Sequence, residues 1–220
     1  MNTENARANM IEQQIRPWDV LDQRSLNTLS QIPREFFLPA ALKPLAFADT
    51  RLPLGHGRKT LNPNIEGRIL QALNLHPNER VLEIGTGSGY LTACLASLCQ
   101  QVDSVEFAAP LVKAAQDRLD AYGVTNIHLE HGDMASWGSH ESRYDAIVLN
   151  GSLPEIPASL PNMLNVGGRL FGFIGRMDHP VHRAILATRI GPDQWSEPTL
   201  FETWVDPLDI SDNLDGESIE

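Results

Sequence analysis

A chain of 220 residues with 42% hydrophobic and 20% charged content suits one soluble α/β domain with additions and leaves little room for two domains of ordinary size. The formal net charge of −11 argues against a general nucleic-acid surface, because phosphate contact needs concentrated lysine and arginine. No apolar stretch approaches the roughly 20 residues of a membrane span, and the polar start MNTENARANMIEQQIR lacks the apolar core of a secretory signal, so a cytoplasmic protein with no membrane partner is expected.

Residues 4–15 and 22–31 read as short helices around Arg16-Pro17-Trp18-Asp19, with Asp22 placed to cap the second and Pro33 to end it. The stretch 33–63 carries Pro33, Pro39, Pro44, Pro53 and Pro63 and reads as an irregular, turn-rich segment. Phe36, Phe37, Leu38, Leu42, Leu45 and Phe47 tie it to a core, and a long ordered loop of this kind is often a substrate loop. Residues 64–73 follow as a helix with Ile65, Ile69, Leu70 and Leu73 on one face.

Alternation then begins. Strands are predicted at 80–84, 102–106, 126–130, 144–149, 168–174, 184–190 and 199–205, and helices at 89–99 and 108–122. Strands alternating with helices imply a doubly wound α/β fold with a mostly parallel seven-stranded sheet covered on both faces. Cys94 and Cys99, five apart near the first of these helices, read as core thiols. The last fifteen residues hold six acids and no base, which leaves about −5 for the rest. They read as a disordered, solubilising tail. The expected organisation is one domain over 1–205, with helices and substrate loop in 1–63 and the α/β core in 64–205, followed by the tail at 206–220. The oligomeric state is open.

The strand at 80–84 runs into Glu83-Ile84-Gly85-Thr86-Gly87-Ser88-Gly89-Tyr90, a strand-to-helix turn. Glycines tolerate positive φ and let backbone approach a ligand, while the following helix offers unpaired N–H groups, so the turn reads as a ligand seat. The dinucleotide fingerprint G-x-G-x-x-G needs glycine at position 90, where Tyr90 stands. An acid two places before the first of three alternating glycines resembles instead the pattern of class I S-adenosylmethionine (AdoMet) methyltransferases. That resemblance implies AdoMet as cofactor and Glu83, Gly85, Thr86, Gly87, Ser88 and Gly89 as residues that bind it.

Ligands of doubly wound sheets lie beyond the carboxyl ends of the strands. Glu106 ends the second core strand, at the distance where a carboxylate can accept from both ribose hydroxyls. Asp133 follows a glycine at the next strand end, placed to accept the adenine amino proton, with Met134 flanking the ring. Asn150 borders the same crevice, either facing the cofactor or simply forming the turn.

The match extends further. Ile32-Pro33-Arg34-Glu35-Phe36-Phe37-Leu38-Pro39, Leu45-Ala46-Phe47-Ala48-Asp49 and Leu52-Pro53-Leu54-Gly55-His56-Gly57, followed by VLEIGTGSGYLTA, resemble the protein-L-isoaspartate O-methyltransferases. Val102 to Glu106, Gly132-Asp133, Tyr144-Asp145-Ala146-Ile147, Glu155-Ile156-Pro157 and Gly167-Gly168-Arg169-Leu170 keep the expected order, so the resemblance covers roughly residues 5–175. It implies methyl transfer from AdoMet to the α-carboxylate of an isoaspartyl residue, with no metal. A carboxylate is already an ionised nucleophile, so alignment matters more than a strong base.

Where the family usually reads Gly-Gln-Thr-Ile-Ser-Gln-Pro, this chain reads Gly57-Arg58-Lys59-Thr60-Leu61-Asn62-Pro63. Leu61 takes the place of the serine at the reaction centre and cannot hydrogen-bond a carboxylate. Thr60 is the nearest hydroxyl and the candidate catalytic residue, though neighbours in an extended segment point in opposite directions. His56, Arg58, Lys59 and Asn62 are the candidate substrate-binding residues; the first three supply positive or protonatable groups for an anionic acceptor. Three functions remain: an isoaspartyl-type O-methyltransferase acting on protein or peptide carboxylates, a methyltransferase with another small or protein acceptor, or a non-catalytic AdoMet-binding protein. The H-x-x-H of His179 and His182 is interrupted by Pro180 and lacks a third ligand, so no metal is expected. Trp137, Trp195 and Trp204 read as packing groups.

Overall fold

The computed structural model describes residues 3–134, 143–157, 159–176, 178–192 and 194–208. Trp137 and positions 209–220 of the acidic tail lie outside them. The first predicted helix is divided. Helix α1 covers Thr3–Met10, a widened π-type turn follows over Ile11–Ile15, and a tight turn covers Arg16–Trp18. The widening keeps Met10, Ile11 and Ile15 all on the buried side. Helix α2, Gln23–Gln31, starts as its sequence dictates, with Ser25 N donating to the Asp22 carboxylate at 2.8 Å.

The proline-rich segment forms two 3₁₀ turns, Arg34–Phe37 and Ala40–Leu45, and a small antiparallel hairpin of β1, Pro53–Gly55, and β2, Arg58–Lys59. His56 and Gly57 at its tip both have positive φ, 53° and 73°, as a two-residue turn matched to strand twist requires. Helix α3, Pro63–Leu73, begins with proline at its first position.

The large sheet comprises β3 (Arg80–Ile84), β4 (Gln101–Glu106), β5 (Ile127–His131), β6 (Tyr144–Leu153), β7 (Leu164–Ile174), β8 (His182–Gly191) and β10 (Thr199–Thr203). Its order is β10-β8-β7-β6-β3-β4-β5, and a short β9, Gln194–Ser196, pairs with β8 as an eighth strand that the sequence pattern did not reveal. The five strands β5, β4, β3, β6 and β7 are mutually parallel, while β8 and β10 add antiparallel partners at one side. Helices α4, Tyr90–Ala96, and α5, Ala109–Tyr122, connect the early strands.

Residue alternation divides the core in two. Val81, Val102, Val148 and Phe171 join the cluster built on α2 to α5, whereas Leu82, Ile84, Ile147 and Leu170 join the cluster on the opposite face with Leu160 and Met163. The chain leaves β3 for β4 and β5 on one side and returns as β6 on the other. The switch point, where ligands bind such sheets, therefore lies at the end of β3.

Strand β7 starts four residues earlier than expected and α4 ends three residues sooner, and two boundaries beside the crevice also differ. Strand β6 continues through Asn150, Gly151 and Ser152 because Ser152 is paired on both sides of its peptide: its N–H donates to Asp206 O and its carbonyl accepts from Leu208 N, each at 3.0 Å. Asp206, Pro207 and Leu208 thus belong to the folded domain rather than to the tail. Their acidic neighbours dominate the composition, but a backbone ladder holds them. Cys94 and Cys99 are free and buried, and burial pushes the Cys99 thiol up to about 12.

Candidate active site

The turn after β3 is built on left-handed backbone: Gly85 has φ 93°, Gly87 57° and Gly89 85°. A Cβ on Gly85 would meet Leu208 at 3.1 Å and Asn150 at 3.4 Å, so that glycine admits close approach from the crevice side. Gly89 serves another purpose. Its missing Cβ faces Leu119 at 3.3 Å and Ala115 at 3.5 Å, so it lets α4 pack on α5 and faces away from the crevice.

Glu106 closes the turn from the neighbouring strand. Gly87 N donates to its Oε2 at 2.9 Å and Ala108 N to its Oε1 at 3.0 Å. A carboxylate offers about four acceptor positions, so both oxygens keep capacity for a vicinal diol. Gly132 and Met134 line the same hollow, flanking Asp133.

Glu83 lies beneath the turn and is fully buried. Thr92 Oγ1 and Ser104 Oγ donate to Oε2 at 2.5 and 2.6 Å, and Asn150 Nδ2 donates to Oε1 at 2.8 Å. Burial, opposed by these bonds, pushes the carboxyl up to about 7. Asn150 Nδ2 also reaches Gly85 O at 2.9 Å. Glu83 therefore fixes Asn150, and Asn150 braces the glycine turn. With its amide nitrogen spent, Asn150 Oδ1 is buried without a hydrogen-bond partner.

The crevice has two chambers. Ile84, Val105, Glu106, Phe107, Gly132 and Met134 line the outer one, which Asp206, Pro207 and Leu208 close on one side. The inner chamber is bounded by Leu54, Thr60, Leu61, Glu66, Ser88 and Leu91. Lys59, Gly85, Gly87 and Asn150 line both and form the waist.

The β1–β2 hairpin forms the rim. Arg58 and Lys59 face the outer chamber, and Arg58 Nη1 donates to Pro207 O at 3.2 Å. Thr60 and Leu61 both border the inner chamber despite being adjacent. Thr60 does so while pinned, its Oγ1 accepting from Leu52 N at 3.0 Å and its own N–H donating to Leu52 O at 2.9 Å. Leu61 is held by its carbonyl, which accepts from Arg34 Nη2 at 2.8 Å. His56 sits at the exposed hairpin tip, and Asn62 Nδ2 donates to Asp49 Oδ1 at 2.7 Å; neither borders the two chambers.

Sequence reasoning missed Glu66, Leu54 and 206–208 as walls of the crevice. Glu66 reads as a polar position on an amphipathic helix, and its burial depends on Arg34, thirty-two residues earlier. Pro207 and Leu208 are apolar positions within an acidic run, but so are Ile210, Leu214 and Ile219, so composition does not single them out.

The donor set fits AdoMet. A strand-end carboxylate with spare acceptor capacity, positive-φ glycines that bring backbone to the crevice, and an unsatisfied buried carbonyl oxygen at its waist suit a ligand with a ribose diol and an amino-acid end. Among the described residues no group of three His, Cys, Asp or Glu is arranged to hold a metal. His182 instead stacks on Trp204 at 5.8 Å between ring centroids. No helix among the described residues is long and apolar enough to cross a membrane.

Residues 5–187 match the family model described as protein-L-isoaspartate(D-aspartate) O-methyltransferase. The chain belongs to that family. A protein-L-isoaspartate O-methyltransferase of Rhodopseudomonas palustris is 38% identical over 85% of this chain and 76% of its own. Another, from Syntrophus aciditrophicus, is 39% identical over 85% of each. Among solved structures, a candidate enzyme of this name from Plasmodium falciparum, crystallised with S-adenosyl-L-homocysteine, superposes with a TM-score of 0.77 at 20% identity, covering 95% of this chain and 99% of that one. It shares the fold. As a member of the family, the protein is an AdoMet-dependent methyltransferase.

Proposed function

We propose that the protein methylates a carboxylate of the isoaspartyl type on a protein or peptide. The observation that carries the reading is the position of Arg58 and Lys59: in a chain of net charge −11, two cations border the chamber that also holds Glu106. An anionic acceptor gains from them both attraction and orientation. Bound AdoMet would supply an electrophilic methyl group on a sulfonium. The protein's own contribution is positional. Glu106 is suited to the ribose hydroxyls, Gly132, Asp133 and Met134 to the adenine, Gly85, Gly87 and Asn150 to the region between the chambers, and Thr86 and Ser88 to the inner chamber. Glu83 acts through Asn150 as a positioning residue. Leu54, Leu61 and Leu91 exclude water from the inner chamber, which strengthens electrostatic interactions there.

Thr60 stands beside Leu61 with its hydroxyl proton still available, since Oγ1 is used as an acceptor toward Leu52 N. In this reading it replaces the family serine as a hydrogen-bond donor. A cytoplasmic site of action belongs to the same proposal, and the free thiols agree with a reducing compartment. The test is incubation with methyl-labelled AdoMet and an isoaspartyl peptide, with the matching aspartyl peptide as control. Base-labile label in the first alone is expected. Cofactor binding without such label would overturn the acceptor and favour another methyl acceptor or a non-catalytic role. Leu61→Ser is expected to raise kcat toward the isoaspartyl peptide.

A further inference from the structure

Glu66 lies on α3, far in sequence from the glycine turn, yet lines the inner chamber with Ser88 and Asn150. Its carboxylate is almost wholly buried. Arg34 supports it unequally: Nε donates to Oε2 at 2.9 Å, whereas Nη2 reaches Oε1 only at 3.4 Å. The guanidinium is otherwise occupied, because Nη1 donates to Ala46 O and Nη2 to Leu61 O, each at 2.8 Å.

A carboxylate withdrawn from water needs more than one good hydrogen bond to be compensated. Burial pushes the Glu66 carboxyl up even with Arg34 beside it. Asn150 lines the same chamber, and its Oδ1 is buried and unpartnered. Two acceptor atoms with unused capacity, one of them charged, call for a positively charged donor with several N–H bonds. A primary ammonium meets that description.

We infer that Glu66 and Asn150 receive the α-ammonium group of AdoMet, Glu66 Oε1 supplying the counter-charge and Asn150 Oδ1 a neutral hydrogen bond. The inference rests on the AdoMet reading of the crevice and adds the residues that recognise its amino-acid end. Arg34 then has two tasks, since the guanidinium that orients Glu66 also holds the carbonyl of Leu61. The donor pocket and the acceptor loop share one buried cation.

The test is a thermodynamic cycle read by calorimetric binding, without turnover. S-adenosylhomocysteine and its analogue lacking only the α-amino group are titrated into the full chain as wild type, Glu66→Gln and Glu66→Asp. Loss of the amino group is expected to weaken wild-type binding by about tenfold or more, the range for a hydrogen bond to a charged group. In Glu66→Gln the same loss should cost only about threefold, the share left to the Asn150 hydrogen bond. Glu66→Asp preserves the charge opposite Arg34 but withdraws it by one methylene, and an intermediate discrimination is expected; it provides the measurement if the Gln protein does not fold. Equal discrimination by wild type and the folded variants would overturn the inference while leaving the cofactor reading intact. Failure of the wild type to bind S-adenosylhomocysteine would overturn both.

Discussion

Replacing Glu83 with Gln tests how a buried acid is maintained at the base of the crevice. Glu83 has an ordinary value of 4.5 and is pushed to about 7 in the fold, chiefly by burial. The folded state thus holds the proton more tightly than the unfolded chain does. The contribution of Glu83 to stability is greatest below about 4.5, falls as pH rises toward 7 and levels off above. At about 1.36 kcal/mol per pH unit, the full gap corresponds to about 3 kcal/mol. Between about pH 5 and about pH 7.5 the linkage relation leaves about 2 kcal/mol of that loss. Gln is nearly isosteric and does not titrate: its oxygen can accept from Asn150 Nδ2 while its amide donates to the Thr92 and Ser104 hydroxyls. Urea unfolding of ligand-free wild type and Glu83→Gln at both pH values isolates the effect, because any fixed cost of the substitution cancels within each protein. The wild type should lose about 2 kcal/mol more than the variant on going to the higher pH. Parallel pH profiles would refute the assignment of a raised, desolvated carboxyl to Glu83.

Three further substitutions separate support from recognition. Arg34→Met leaves Glu66 buried without its partner and frees two carbonyls, so a loss of about 3–5 kcal/mol is expected, visible as a Tm drop of about 10 °C. Gly89→Ala places a side chain at φ 85° against Leu119; it should cost about 1–2 kcal/mol in a thermal melt and change S-adenosylhomocysteine affinity by no more than about twofold, since Gly89 faces α5. Glu106→Gln loses one acceptor needed by Gly87 N, Ala108 N and the ribose together. Calorimetry should show affinity falling about tenfold or more for S-adenosylhomocysteine and equally for methylthioadenosine, which keeps the ribose but has no amino-acid end.

Much of the crevice was legible because its signals are local. The glycine spacing, the acid at 83 and the strand-end position of Glu106 lie within one or two elements, and the short-range geometry of a strand-turn-helix unit determines what they can do. The same locality could not show that Gly89 packs against α5, because the pattern that marks a ligand turn does not say which glycine's open side faces the crevice and which faces a neighbouring helix. It also ended β6 at 149, because the partner that extends the strand, 206–208, lies more than fifty residues away.

By itself the sequence determined the alternating architecture, the α2 cap at Asp22, the glycine turn and the likeness to a methyltransferase family. Only the tertiary structure decided what walls the inner chamber. Glu66 becomes a chamber residue only because Arg34 reaches it across the core, and Asn150 Oδ1 is left unsatisfied only because Glu83 and Gly85 use its amide. The last acidic stretch yields Pro207 and Leu208 to the crevice through a backbone ladder with Ser152. These are relations between distant parts of the chain, set by burial and by which hydrogen bonds remain unmade, and no residue type or spacing encodes them locally.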